Sequence, residues 1–231
     1  MIITIASLVP GVGKTAVAFQ LALYLRVEKK HKVLLVDGSK NENALTAVSI
    51  RADSCAEPSL ACSAYSNAGT LVTQIDAQRE VWDDIVIDMG GLGAVALSAV
   101  LRRTDVLAIP VHPRNLDVWA LRQVMNVIDD ARMKGGEFNA VTFLANASSN
   151  AADNRATCEQ LKMVDQLEFI DAPLEQNESF TKACLLGRCV TEDKPKDKKA
   201  IDELKALVEA LYRVGGKPKR TQGMGEAMVA A

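Results

Sequence analysis

The feature that most constrains this chain is a six-residue turn, Pro10-Gly11-Val12-Gly13-Lys14-Thr15, set between two apolar segments of different period. Before it, Ile2-Ile3-Thr4-Ile5-Ala6 is rich in β-branched residues, the composition of a strand buried on both faces. After it, Val17, Leu21 and Leu25 recur at helical spacing between Ala16 and Val27. Strand, glycine turn and helix in this order make a phosphate cradle. The glycines let backbone N–H groups converge, the helix N-terminus favours negative charge, a lysine meets the β/γ-phosphates and a hydroxyl takes Mg²⁺. Gly11, Gly13, Lys14 and Thr15 supply these parts, and Pro10, Val12 and Ala16 complete the loop. The strict spacing GxxxxGK[ST] would put a glycine where Leu8 stands, so the motif lacks one position. A plain strand-to-helix turn is the competing reading; the flanking strand and helix weigh against it.

The rest of the chain repeats the alternation. Val33 to Val36 ends on Asp37, Ile85-Val86-Ile87 runs into Asp88, Val106 to Val111 follows, and Val141 to Ala145 ends at Asn146. Helices are expected over about 94–103, 117–133, 154–167, 179–186 and 197–212, with a short strand at 168–170. Residues 39–67 have weak periodicity and are expected to form short helices and loops. Strands alternating with helices predict an α/β fold: a doubly wound, mostly parallel sheet with helices on both faces. One nucleotide-binding domain over 1–214 is expected. Residues 215–231, which mix Gly, Pro and charge without apolar period, read as a flexible tail.

Charge is informative only locally. The formal net charge is -2, so no global field draws the protein to nucleic acid. From Arg188 to Arg220, however, ten Lys or Arg face six Asp or Glu. Lys194, Lys196, Lys198, Lys199, Lys217, Lys219 and Arg220 are the candidates for DNA phosphate contacts; a solvated helix face and tail is the alternative. The five cysteines lack paired spacing and read as reduced thiols. No apolar run approaches the roughly 20 residues that cross a bilayer, so no membrane insertion is expected and the cytoplasm is the expected location.

Asp88, at the end of its strand, suits a carboxylate that holds a Mg²⁺-bound water, or else a cap for the Gly90-Gly91 turn. Asp37 has the same position on another strand and the same two readings, with contact to an attacking water a third. Asn146 carries an amide able to read an adenine edge, though an Asn after a strand is commonly a turn residue. His31 and His112 lack a suggestive partner and read as structural.

With these pieces in order, the chain resembles the ParA/MinD group of P-loop ATPases, most closely the small plasmid partition proteins, over roughly residues 1–211. The resemblance is carried by PGVGKT, VLLVDGSKN, DIVIDMGG, TDVLAIPVHPRNLDVWAL, FLAN and FIDAPLEQNESFTKACLLGRCV. It implies an ATP- or ADP-binding protein with Mg²⁺ held by Thr15 and Asp88, catalysis through Lys14, Asp37 and Asp88, and Asn146 and Pro173 among the cofactor-binding residues. It further implies an ATP-dependent homodimer that binds DNA non-specifically, associates with the nucleoid and answers to a centromere-binding or relaxosome-associated plasmid protein. Two positions depart from the family. Its signature lysine, which reaches a partner's phosphates, aligns with Val9, and the second aspartate of its DxD segment aligns with Ser39. A trans-acting cation is worth about 10³ to 10⁵ in phosphoryl-transfer rate, so weak ATPase activity is expected. A nucleotide-gated adaptor in conjugative DNA transfer is the alternative such slow turnover would suit. A metabolic enzyme resembling dethiobiotin synthetase ranks below both, for no substrate lysine or second-substrate pocket is evident.

Overall fold

The computed structural model describes residues 1–91, 93–113, 118–148 and 151–217. It opens with β1 (Ile2–Ala6), α1 (Lys14–Val27) and β2 (Val33–Asp37), then α2 (Asn43–Asp53), β3 (Ala61–Ala64) and α3 (Ala68–Gln78). The centre holds β4 (Asp84–Met89), α4 (Gly93–Leu101), β5 (Val106–Val111), α5 (Val118–Met133) and β6 (Asn139–Ala147). The last part holds α6 (Ala151–Lys162), β7 (Glu168–Phe169), β8 (Leu174–Glu175), α7 (Glu178–Leu185) and α8 (Lys198–Gly215). The strands lie in the order β3-β2-β4-β1-β5-β6-β7, with β8 also on β6, and every pairing is parallel.

Period-two alternation divides the core between the two faces of this sheet. Ile3 and Ile5 of β1, Val33 and Leu35 of β2, Val86 of β4 and Phe143 of β6 pack with α1, α7 and α8. Ile2 and Ala6, Leu34 and Val36, Ile85 and Ile87, and Leu144 pack on the other face with α3, α4 and α5. Each wholly buried Ile, Leu or Phe contributes about 1.5–3 kcal/mol by leaving water, so both layers are strongly driven. The doubly wound α/β fold expected from the sequence is thus present.

Three local expectations need correction. Residues 39–67 contain a full helix, α2, and the edge strand β3, whose Ala61-Cys62-Ser63-Ala64 carries no β-branched signal. The helix expected at 154–167 runs instead over Ala151–Lys162. The body extends past 214: Gly215 is still helical, the Lys217 ammonium pairs with Glu168 at 2.7 Å, and the Asn139 side-chain amide donates to the Val214 carbonyl at 3.0 Å. The rest of the expected tail, with the candidates Lys219 and Arg220, lies outside the described residues.

A candidate nucleotide site at the strand ends

Because all strands are parallel, the loops after β1, β2, β4, β5 and β6 leave the same edge of the sheet, where α/β proteins place ligands. The turn between β1 and α1 sits at the centre of that edge. Gly11 and Gly13 adopt φ values of 76° and 84°, a left-handed backbone that favours glycine, and Gly13 is the residue that caps α1. No side chain caps this helix, so its first N–H groups are left facing the turn, the arrangement that receives an anion. The Lys14 ammonium is half-buried and rests on the Val9 carbonyl at 2.9 Å. Burial lowers its pKa, with Asp88 opposing that shift.

Register brings the acidic candidates together. Asp88 lies beside Asp37 across the β2–β4 pair and beside Ile5 across the β1–β4 pair. The Thr15 hydroxyl donates to Asp88 Oδ2 at 2.6 Å, while Asp88 Oδ1 is buried with no partner. Burial pushes the Asp88 carboxyl up to about 6; the Thr15 bond pulls it down, Asp37 pushes it further up and Lys14 pulls it down. A hydroxyl and a carboxylate oxygen left free next to a lysine form a hard-oxygen donor set that fits Mg²⁺ and its waters. Asp37 behaves differently. Its Oδ1 accepts the Ser39 N–H at 2.9 Å and its Oδ2 accepts those of Ala44 and Leu45 at 2.8 and 3.1 Å. Asp37 caps α2 and shapes the loop after β2, and neither it nor Asp88 is among the residues that line the adjoining cleft.

That cleft, about 640 Å³, is walled by Pro10, Gly11, Gly13, Lys14 and Thr15 on one side and by Ser39, Asn41, Gly90 and Gly91 on the other. A second cleft of about 660 Å³ continues over the opposite side of the turn, between α2 and α7, and shares Gly11, Thr15, Ala16 and Asn43 with the first. Asn146 lines it, with φ of 52°, and a Cβ on Gly13 would stand 3.5 Å from its Nδ2. Asn146 is therefore both a turn residue and a polar side chain at the turn between β1 and α1. Val12 is buried beneath the loop. Pro173 lines neither cleft; it leads into β8, after which Gln176 and Asn177 do. Phe180, Thr181 and His112 also line the second cleft. All three fall within segments that carry the resemblance, but the residues alone gave no role to Phe180 or Thr181, and His112, read as structural, instead lines this cleft. His31 sits at the far edge of the sheet, 2.6 Å from the Asp84 carboxylate that also accepts the Tyr212 hydroxyl, in keeping with a structural role.

The basic candidates divide. Lys199 pairs with Glu175 and Lys217 with Glu168, whereas Lys194, Lys196 and Lys198 are exposed and make no ion pair with the described residues. No helix among the described residues is long and apolar enough to cross a membrane.

The sequence matches no protein-family model and no curated protein. Solved structures match in fold. A plasmid partition protein from Borrelia burgdorferi superposes with a TM-score of 0.65 at 18% identity over 92% of this chain and 97% of that one. The septum site-determining protein MinD from Pyrococcus horikoshii, complexed with Mg-ADP, gives 0.65 at 19% identity over 93% and 97%. Cobyrinic acid a,c-diamide synthase from Mycobacterium smegmatis, with bound ADP and magnesium, gives 0.68 at 16% identity over 96% and 99%. The chain shares its fold with these three proteins, a plasmid partition protein, MinD and a synthase.

Proposed function

We propose that this chain binds ATP or ADP with Mg²⁺ and works as a ParA-like switch in plasmid DNA partition, dimerising with ATP and hydrolysing it slowly. The observation that carries the nucleotide reading is the Thr15–Asp88 hydrogen bond, which leaves a buried carboxylate oxygen without a partner at the mouth of an uncapped helix N-terminus. Lys14 would meet the β/γ-phosphates, Thr15 the metal, Asp88 its waters, and Asn146 the base. Catalysis would use Lys14 and Asp88, with Asp37 acting through the loop it caps. Beside the cleft, Leu8 and the 86%-exposed Val95 offer an apolar rim for a second copy. Lys194, Lys196 and Lys198 supply the basic surface for non-specific DNA on the nucleoid, and Val9 in place of a cation accords with slow turnover. A centromere-binding protein would reset the switch.

A nucleotide-gated adaptor in conjugative transfer is the second reading, favoured by one observation: Lys199 and Lys217 are already neutralised, which narrows the surface left for DNA phosphates. Its partner would be a relaxosome-associated protein. ATP affinity and ATP turnover, measured on one preparation with and without random duplex DNA at low salt, separate the readings. Nucleotide-dependent DNA binding with slow turnover is expected. Absence of any DNA affinity with ATP present would refute the partition role and leave the adaptor, whereas absence of ATP binding would refute both.

A further inference from the structure

On its α7 side the second cleft is lined by Gln176, Asn177 and Glu178, then by Phe180 and Thr181. The sheet holds this stretch only lightly. β8 has two residues, its register on β6 shifts between Ala145 and Ala147, and beyond it the Gln176 N–H donates to the Ala147 carbonyl at 3.0 Å. Further anchorage comes from α8, none of whose residues lines the cleft. Glu203 Oε2 accepts the Glu175 N–H at 3.0 Å, and the Lys199 ammonium pairs with the Glu175 carboxylate. Asp197, which caps α8, accepts at Oδ2 from both Asn177 Nδ2 and Ser179 Oγ, at 2.6 and 2.8 Å.

Asn177 and Asp197 are both caps. Asn177 Oδ1 accepts the Ser179 N–H at 2.8 Å at the start of α7, and Asp197 Oδ1 accepts the Ala200 N–H at 3.1 Å at the start of α8. Each cap uses one oxygen. Asp197 has a second, and it is the second that holds Asn177 and Ser179. The bonds from Asn177 and Ser179 keep its carboxyl below the usual carboxylate range, so it is ionised and accepts through both oxygens. An asparagine is an equally good N-cap but has a single acceptor oxygen. Capping α8 therefore does not require a carboxylate, whereas capping α8 and tying α7 to it does.

Resting on the nucleotide reading above, we infer that Asp197 is a positioning residue for the nucleoside half of the ligand: through Asn177 and Ser179 it fixes the first turn of α7 as the wall beside base and sugar. It touches no ligand itself. None of residues 175–181 lines the first cleft, so the phosphates at the glycine turn are held independently of this wall.

The test compares the affinities of Mg²⁺·ATP and Mg²⁺·tripolyphosphate for the parent, Asn177→Asp, Asp197→Asn and the double variant that exchanges the two residues. Asn177→Asp sets two carboxylates against each other, and Asp197→Asn removes one acceptor. The double variant restores an amide facing a carboxylate, with donor and acceptor reversed and an oxygen left for each cap. One hydrogen bond to a charged oxygen corresponds to roughly tenfold in affinity, so each single variant is expected to lose about that factor for ATP and less than about twofold for tripolyphosphate. The double variant is expected to regain ATP affinity to within about threefold of the parent, although it keeps the charge added at position 177. Retained tripolyphosphate binding shows that the single variants are folded. Equal losses for both ligands, no loss for ATP, or no recovery in the double variant would overturn the inference. So would a parent that binds ATP no more tightly than tripolyphosphate, for nothing would then rest on the wall. A parent that binds neither ligand would overturn the functional reading itself, a result distinct from these.

Discussion

Arg51 and Asp88 are equally buried charges, and they are treated in opposite ways. Arg51, on α2, donates from Nε and Nη2 to the Pro58 carbonyl, from Nη1 to the Gly187 carbonyl, and from Nη1 and Nη2 to the two oxygens of Glu192 at 2.8 and 2.9 Å. Nearby Gln20 uses both ends of its amide, donating to the Arg188 carbonyl and accepting the Val190 N–H. These contacts fasten α1 and α2 to the segment that follows α7. Asp88, by contrast, has one oxygen bonded and one idle, next to an idle Ser39 hydroxyl. Arg51 finds its partners within the chain, as a group placed for folding does, whereas Asp88 keeps bonding capacity that a ligand could meet.

The comparison breaks most visibly at Arg51. Replacing it with Ala leaves Glu192 only the Cys189 N–H and takes the side-chain donors from the Pro58 and Gly187 carbonyls; the expected cost is about 3–5 kcal/mol of unfolding free energy in urea, while the molecules that remain folded keep their ATP affinity. A loss under about 1 kcal/mol would place Arg51 with the surface pairs and end the contrast.

Asp88 should act in the other direction. Its carboxyl titrates near 3.8 when unfolded and near 6 when folded, so between those values the unfolded chain is ionised while the folded one still holds the proton. Stability of the metal-free protein therefore falls as pH rises through this window, and the penalty is complete above about pH 6. Asp88→Asn cannot ionise. Relative to the parent, its stability in chelator is expected to improve by about 1 kcal/mol between pH 5 and pH 8. A difference that does not change with pH would mean that Asp88 is not strained in the folded state.

The smallest effect concerns the exposed lysines. Replacing Lys194, Lys196 and Lys198 together with Ala should leave unfolding unchanged within about 0.5 kcal/mol. It should also lower the slope of log DNA affinity against log salt by up to about 3. An unchanged slope would move the DNA surface elsewhere.

What was legible in the sequence followed the same divide. The parallel core was readable because Ile3, Val33, Leu35 and Val86 carry their own β-branched or apolar signal, and the glycine turn after β1 because Gly11, Gly13, Lys14 and Thr15 lie together in the chain. β3 was not, because Ala61 to Ala64 carries no β-branched signal and its place comes from pairing with β2 and packing on the core. Asp37 and Asp88 looked alike as carboxylates at strand ends; only the path of the loop after β2 made one a cap and left the other open. Ser39 was visible only as a departure from a family pattern. Its side chain lies against Gly90, 51 positions away, and such a juxtaposition has no periodicity to betray it.

The central claim is that the turn from Pro10 to Thr15 holds the phosphates of a nucleotide with Mg²⁺. Calorimetric titration of the parent and of Lys14→Ala with ATP, with and without Mg²⁺, tests it most directly. The account predicts one site per chain, tighter with Mg²⁺, and a loss of at least about 100-fold in Lys14→Ala, whose ammonium is the cation of the cradle. ATP binding that is equally strong in Lys14→Ala, or no binding to the parent, would contradict it.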